Sequence, residues 1–156
     1  MKFRQDLSLL WFLVVAIWTV SIVGFMFDNL IHTLALVPRD LRHLPGIVTM
    51  PFLHQGFNHL MANTAPLTAF GLLLLTRGAG YFLRGVVLVT LGGGLLLWLF
   101  GRSAAHIGAS GLVFGLFGLL VARAFYARSV ESMLIAAVIM PGYGGLVWGL
   151  LPLDAS

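Results

Sequence analysis

Residues 7 to 27 read LSLLWFLVVAIWTVSIVGFMF, an unbroken apolar run between Asp6 and Asp28. A helix needs about 20 apolar residues to cross a hydrocarbon core of about 30 Å. This run meets that need without one Asp, Glu, Lys or Arg. No small-residue cleavage site follows it, so it reads as an uncleaved span and not as a signal peptide. The rest of the composition agrees: of 156 residues, 60% are hydrophobic and 9% charged, and the mean hydropathy is +1.01. A soluble domain carries roughly a quarter charged residues, because its wet face has to be built from something. Lipid is therefore the expected solvent for most of this chain. No cysteine is present, which removes disulfide scaffolds, thiolate zinc sites and cysteine nucleophiles. The net charge of +4 is thinly spread, which argues against a nucleic-acid partner and makes the basic residues topology marks.

Working outward by the same rule gives five spans in one domain over 1–156, at about 7–27, 58–76, 79–100, 110–126 and 132–153. The expected fold is an all-α, polytopic membrane helical bundle. Arg84 lies near enough to the start of the third span to snorkel to the interface. Pro141-Gly142 should kink the fifth. With the N-terminus inside, the cytoplasmic basic set is Lys2, Arg4, Arg77, Arg84, Arg123 and Arg128, against Arg39, Arg42 and Arg102 outside. The larger inside set favours a cytoplasmic N-terminus. The external loop over 28–57 is too long for a simple hairpin, and loops of that length are usually functional or disordered. Its Leu44, Ile47 and Phe52 point to a partly ordered segment lying in the membrane interface.

Polar residues at membrane depth cost free energy unless paired or facing water, so they mark function. His54, His59 and Asn63 cluster at the start of the second span, and Gly108-Ala109-Ser110-Gly111 opens the fourth, with His106 four residues before the serine. His59 and Asn63, four apart, share a helix face. Each group alone also has a packing reading. A His and an Asn can be interhelical hydrogen-bond glue, Gly111, Gly115 and Gly118 can be a close-packed seam, and Gly92, Gly93 and Gly94 are read as packing only. Together they say more. A serine in the first turn of a helix sits among unpaired N–H groups at the positive end of the dipole, where an oxyanion is favoured. His59 and Asn63 could add side-chain donors to it. The serine helix is short, about 24 Å over residues 110–125, so Ser110 should lie below the external surface in a hydrated pocket.

Other hydrolase chemistries fail on inspection. The lone glutamate, Glu131, is far from any histidine, so no His-Glu-x-x-His exists. Asp6, Asp28, Asp40 and Asp154 lie at span ends or in loops, which excludes an intramembrane aspartyl pair. No Gly-x-Ser-x-Gly elbow occurs either.

Four pieces in order carry a family resemblance: Pro38-Arg39-Asp40-Leu41, the run Gly46-Ile47-Val48-Thr49-Met50-Pro51-Phe52-Leu53-His54, the pattern His54…His59…Asn63, and His106-Ile107-Gly108-Ala109-Ser110-Gly111-Leu112-Val113-Phe114-Gly115. Over about residues 24–154 the chain resembles the rhomboid intramembrane serine proteases in their compact bacterial form. That resemblance implies Ser110 as nucleophile and His59 with Asn63 as the oxyanion pair, aided by the Ser110 N–H. It makes His54 structural or a residue at the pocket edge. Gly108 belongs to the nucleophile's motif, Gly111 and Gly118 are small positions of tight packing, and Phe114 is an aromatic one turn after the serine. It implies a half-embedded first loop, a fifth span that moves aside for substrate, transmembrane protein substrates in a lipid bilayer, and no metal or cofactor. The setting it fits is a bacterial inner membrane.

One departure matters. The resemblance places the general base, a histidine after a glycine, on a sixth span, and the chain is read as cut short before it. The expected function is an intramembrane serine endopeptidase. The alternative is a non-catalytic rhomboid-like protein that binds transmembrane helices.

Overall fold

The computed structural model describes residues 2–127, so the fifth span expected over 132–153 lies outside the described residues. All regular structure described is helical. Helix α1 (Lys2–Met26) is followed by a short α2 (Asp28–Leu34), a 3-10 turn (Leu41–His43), α3 (Gly46–Thr49) and a second 3-10 turn (Met50–Phe52). Then come α4 (Phe57–Leu75), α5 (Ala79–Leu88), a π turn (Val89–Gly93), α6 (Gly94–Phe100) and α7 (Ser110–Ala127). Two compact units divide the chain, Met1–Leu116 and Phe117–Ser156. In the second, the described residues continue α7. The first holds everything below.

Spacing explains how α1 meets α4. Leu10, Val14, Ile17 and Ser21 are buried, and steps of three and four residues put them on one helical face. In α4 the matching stripe is Leu60, Asn63, Leu67, Phe70 and Leu74. The two helices are also tied by polar contacts, since Trp18 Nε1 donates to Thr64 Oγ1 at 3.1 Å and the Trp18 ring meets Phe57 edge-on at 5.6 Å.

The opposite face of α1 shows large apolar side chains, among them Phe12 at 76% exposure. Two helical stretches, Asp6–Met26 and Ala79–Phe100, are long and apolar enough to cross a membrane, yet only 28% and 17% of their most apolar windows are buried. The core helix of a soluble protein would be mostly covered, so these outward apolar faces suit lipid. The other described stretches read as spans differ. Helix α4 carries Asn58, His59, Asn63, Thr64 and Thr68 along its length, and the apolar part of α7, Ser110–Tyr126, is shorter.

The segment before α4 is ordered, and polar contacts fasten it. Leu36 and His106 exchange backbone hydrogen bonds at 3.0 and 2.8 Å. Arg39 holds φ +62°, in the left-handed region, where a residue with a Cβ is strained. From there its N–H donates to Trp98 O at 3.1 Å, and its guanidinium donates to Leu99 O, Gly101 O and Ser103 Oγ at 3.1, 2.9 and 2.9 Å. The last carbonyls of a helix have no partner within it and carry the negative end of its dipole, so Arg39 caps α6 with both hydrogen bonds and charge. Trp98 Nε1 returns a bond to Asp40 O at 3.2 Å. The Asp40 carboxylate accepts from the Arg42 side chain and backbone, and its Oδ2 lies 3.1 Å from His43 Nδ1. Those Arg42 contacts hold its carboxyl well below the usual carboxylate range.

The span read over 79–100 is one helical stretch, Ala79–Phe100, in which α5 runs through a π turn into α6. Around it α7 comes very close, since a Cβ at Gly115 would overlap the Val89 side chain. The sequence reading names Gly111, Gly115 and Gly118 as a seam, and the resemblance adds tight packing at Gly111 and Gly118. At Gly111 an added Cβ would meet Met50 Cε at an ordinary 3.7 Å. The close approach is at Gly115, because that glycine is the one facing the π turn.

Candidate active site

The serine enters α7 through a turn that only glycine suits. Gly108 has φ +105°, and its N–H donates to Met50 O at 2.9 Å. Ala109 follows, fully buried, and Ser110 begins the helix half-buried. The helix ladder starts with the Val113 N–H on Ala109 O at 2.9 Å. The N–H groups of Ser110, Gly111 and Leu112 therefore precede the first bond of the ladder, at the positive end of the helix dipole.

His59, in the first turn of α4, converges on the same place. A Cβ built on Gly108 would lie 2.7 Å from His59 Cε1, 2.8 Å from His59 Nε2 and 3.8 Å from Ser110 Oγ. The imidazole and the hydroxyl thus border one small space, open because residue 108 has no side chain. Behind His59 stands His54, with ring centroids 4.9 Å apart and planes at 67°.

His54 is 1% exposed, and its hydrogen bonds fix its protonation. The Ala109 N–H can only donate, and it points at His54 Nε2 at 3.3 Å, so Nε2 is the bare nitrogen. Nδ1 then carries the proton and donates to Ser21 Oγ at 2.9 Å. The Ser21 hydroxyl in turn donates to Phe52 O at 3.0 Å. Burial first, and then neighbouring His59, push the His54 pKa down to about 4, which keeps this ring neutral. An unpartnered buried N–H costs about 1–3 kcal/mol, and the chain of bonds spares Ala109 that cost.

The remaining expected residues are placed as follows. Asn63 is buried on α4, and one hydrogen of its amide is spent on His59 O at 2.9 Å. His106 lies at the Leu36 bridge, with Nε2 3.0 Å from Arg102 O. Phe114 is half-buried and makes no ring contact among the described residues. Among the same residues, no group of three or more His, Asp or Glu side chains could hold a metal ion.

Residues 41–156 match the family model of the Rhomboid domain. The chain belongs to the rhomboid family. It is 30% identical over 145 residues to an uncharacterized protein of Mycobacterium bovis, covering 89% of this chain and 60% of the other. With an uncharacterized protein of Mycobacterium leprae it shares 31% identity over 153 residues, 85% of this chain and 60% of the other. Rhomboid-like protein 11, chloroplastic, of Arabidopsis thaliana is 34% identical over 117 residues, 65% of this chain and 42% of that one. The chain thus spans about 60% of the length of the mycobacterial relatives it matches. No solved structure matches it. Family and apolar helices together make it an all-α, rhomboid-like integral membrane protein.

The roles of two residues escape a sequence reading. Ser21 sits on the buried stripe of α1, and a hydroxyl at that register was its one signal. Arg39 reads as a topology mark, while its work is to cap a helix far along the chain.

Proposed function

We propose that this rhomboid chain is the core of an intramembrane serine endopeptidase that cleaves transmembrane segments near their external ends. The observation that carries the reading is the convergence of His59 and Ser110 Oγ on the space beside Gly108. In this mechanism Ser110 Oγ attacks the peptide carbonyl carbon while a base takes its proton. The carbonyl oxygen becomes an oxyanion, held by the Ser110 N–H, the His59 ring and the second amide hydrogen of Asn63. Collapse expels the amine, which takes a proton, and water then attacks the acyl-enzyme and frees Ser110. Donors aimed at a developing oxyanion are typically worth about 100-fold or more each in rate.

A serine hydroxyl is a weak nucleophile without a base. His54, His43 and His106 are already engaged with Ser21 and Ala109, with Asp40 and with Arg102. In this reading the base is a histidine outside the described residues, on the sixth span that the resemblance implies. The proposed setting is a bacterial inner membrane with the N-terminus cytoplasmic, five of six spans in this chain, and the segment 28–57 in the outer interface.

The test is cleavage of a transmembrane substrate by the full-length protein in liposomes, with fluorophosphonate labelling of the serine. Ser110→Ala should abolish both while leaving the fold intact. Cleavage that survives Ser110→Ala sinks the assignment. A wild-type serine that neither labels nor cuts selects the non-catalytic, helix-binding reading.

A further inference from the structure

His54 and Ser21 are both buried, and neither has a part in the chemistry above, yet their hydrogen bonds end on the residue beside the nucleophile. Ala109 is pinned at both ends. Its N–H is held by His54 Nε2, and its carbonyl accepts from Val113 N–H. With both groups held, the residue has little freedom left, and the next N–H along the chain is that of Ser110. We propose that Ser21 and His54 are positioning residues, which set the direction of the Ser110 N–H by holding the Ala109 backbone. The proposal rests on the proteolytic reading for its consequence, although not for its geometry.

Ser21 matters because it selects the tautomer. The hydrogen bond at one ring nitrogen decides which nitrogen carries the proton. With a hydroxyl at Nδ1 whose own hydrogen is spent on Phe52 O, the ring proton sits at Nδ1 and Nε2 accepts. Without that oxygen, the ring can place its proton on Nε2, where it would face the Ala109 N–H donor to donor. The first helix thereby reaches the nucleophile of the last described one through a single imidazole.

The experiment compares wild type, Ser21→Ala, Ser21→Thr, His54→Phe and His54→Gln in the full-length protein in nanodiscs. Two quantities are read: amide hydrogen exchange at Ala109 and the rate at which a fluorophosphonate labels Ser110, per folded molecule. Loss of one buried hydrogen bond should slow labelling about tenfold in Ser21→Ala and speed Ala109 exchange by a similar factor. Ser21→Thr keeps the oxygen and should return both toward wild type. His54→Gln can present an acceptor to Ala109 and should outperform His54→Phe. A merely structural pair would lower melting temperature without changing labelling per folded molecule, and that result overturns the proposal. So does unchanged Ala109 exchange in both Ser21→Ala and His54→Phe. A wild-type serine that never labels defeats the proteolytic reading instead, and the exchange data still decide whether the two residues hold the turn.

Discussion

His59 Nε2 lies 2.8 Å from the point at which a side chain on Gly108 would begin. The glycine therefore serves twice: it adopts φ +105°, which L side chains rarely accept, and it leaves the space that His59 and Ser110 share. Gly108→Ala should cost about 1–3 kcal/mol from backbone strain and displace the imidazole. Loss of one aligned oxyanion donor predicts a fall in kcat of about 100-fold or more. Adding His59→Ala makes room for the methyl group, so it should recover part of the stability and none of the activity. Thermal denaturation and substrate cleavage on the same samples separate the two effects.

Gly115 supports a stability prediction independent of chemistry. A methyl group there would overlap Val89 in the π turn, and overpacking of this kind costs about 1–3 kcal/mol. Gly115→Ala should destabilise by that amount, and Val89→Ala in the same molecule should return most of it as a coupling energy. Gly111→Ala, with Met50 at 3.7 Å, should change stability by no more than about 0.5 kcal/mol. A denaturation series on wild type, Gly115→Ala, Val89→Ala, the two combined and Gly111→Ala measures all of this.

These two positions show what the sequence could and could not disclose. Apolar runs announce helices in lipid because span length is a one-dimensional property, and the described stretches read as spans are helical. The spacing of Gly111, Gly115 and Gly118 announces a seam, but which glycine touches depends on where α7 crosses the π turn, and no periodicity records that. His54, His59 and Ser110 stand out because polar residues are rare in such a chain. That His59 borders the space beside Gly108, and that His54 faces Ser21, are long-range facts. Ser21 could have been flagged as a hydroxyl in register with Leu10, Val14 and Ile17. Its partner could not.

The neutral state of His54 makes a pH prediction. Its folded pKa of about 4 lies below its ordinary 6.5, mainly because burial penalises the charged ring. Above pH 6.5 neither folded nor unfolded chain binds this proton, and the full stability is present. Between 6.5 and about 4 the unfolded chain takes the proton first, so stability falls with falling pH, by about 3 kcal/mol in total. Below 4 the loss levels off. The facing groups are His59 and the uncharged Ser21 hydroxyl. Denaturation from pH 7.5 to 4 should show the wild-type curve falling toward that of His54→Gln, and parallel curves would mean that His54 does not titrate in this window.

Arg39 tests whether the segment before α4 is fastened by geometry or by charge. Its three side-chain bonds reach Leu99 O, Gly101 O and Ser103 Oγ, and a planar guanidinium can span such a fork where an ammonium cannot. Arg39→Lys keeps the charge at the end of α6 and gives up at least one bond, so it should cost about 1 kcal/mol. Arg39→Gly removes every side-chain bond, keeps the backbone bond to Trp98 O, and relieves the strain of φ +62°, worth about 1–3 kcal/mol. The glycine variant should therefore lose less stability than Arg39→Ala, which keeps the strain and loses the cap. Hydrogen exchange across residues 36–44 should rise in the order Lys, Gly, Ala. If Lys and wild type exchange alike while Gly and Ala do not, charge at the helix terminus is what holds the segment, and the fork is incidental.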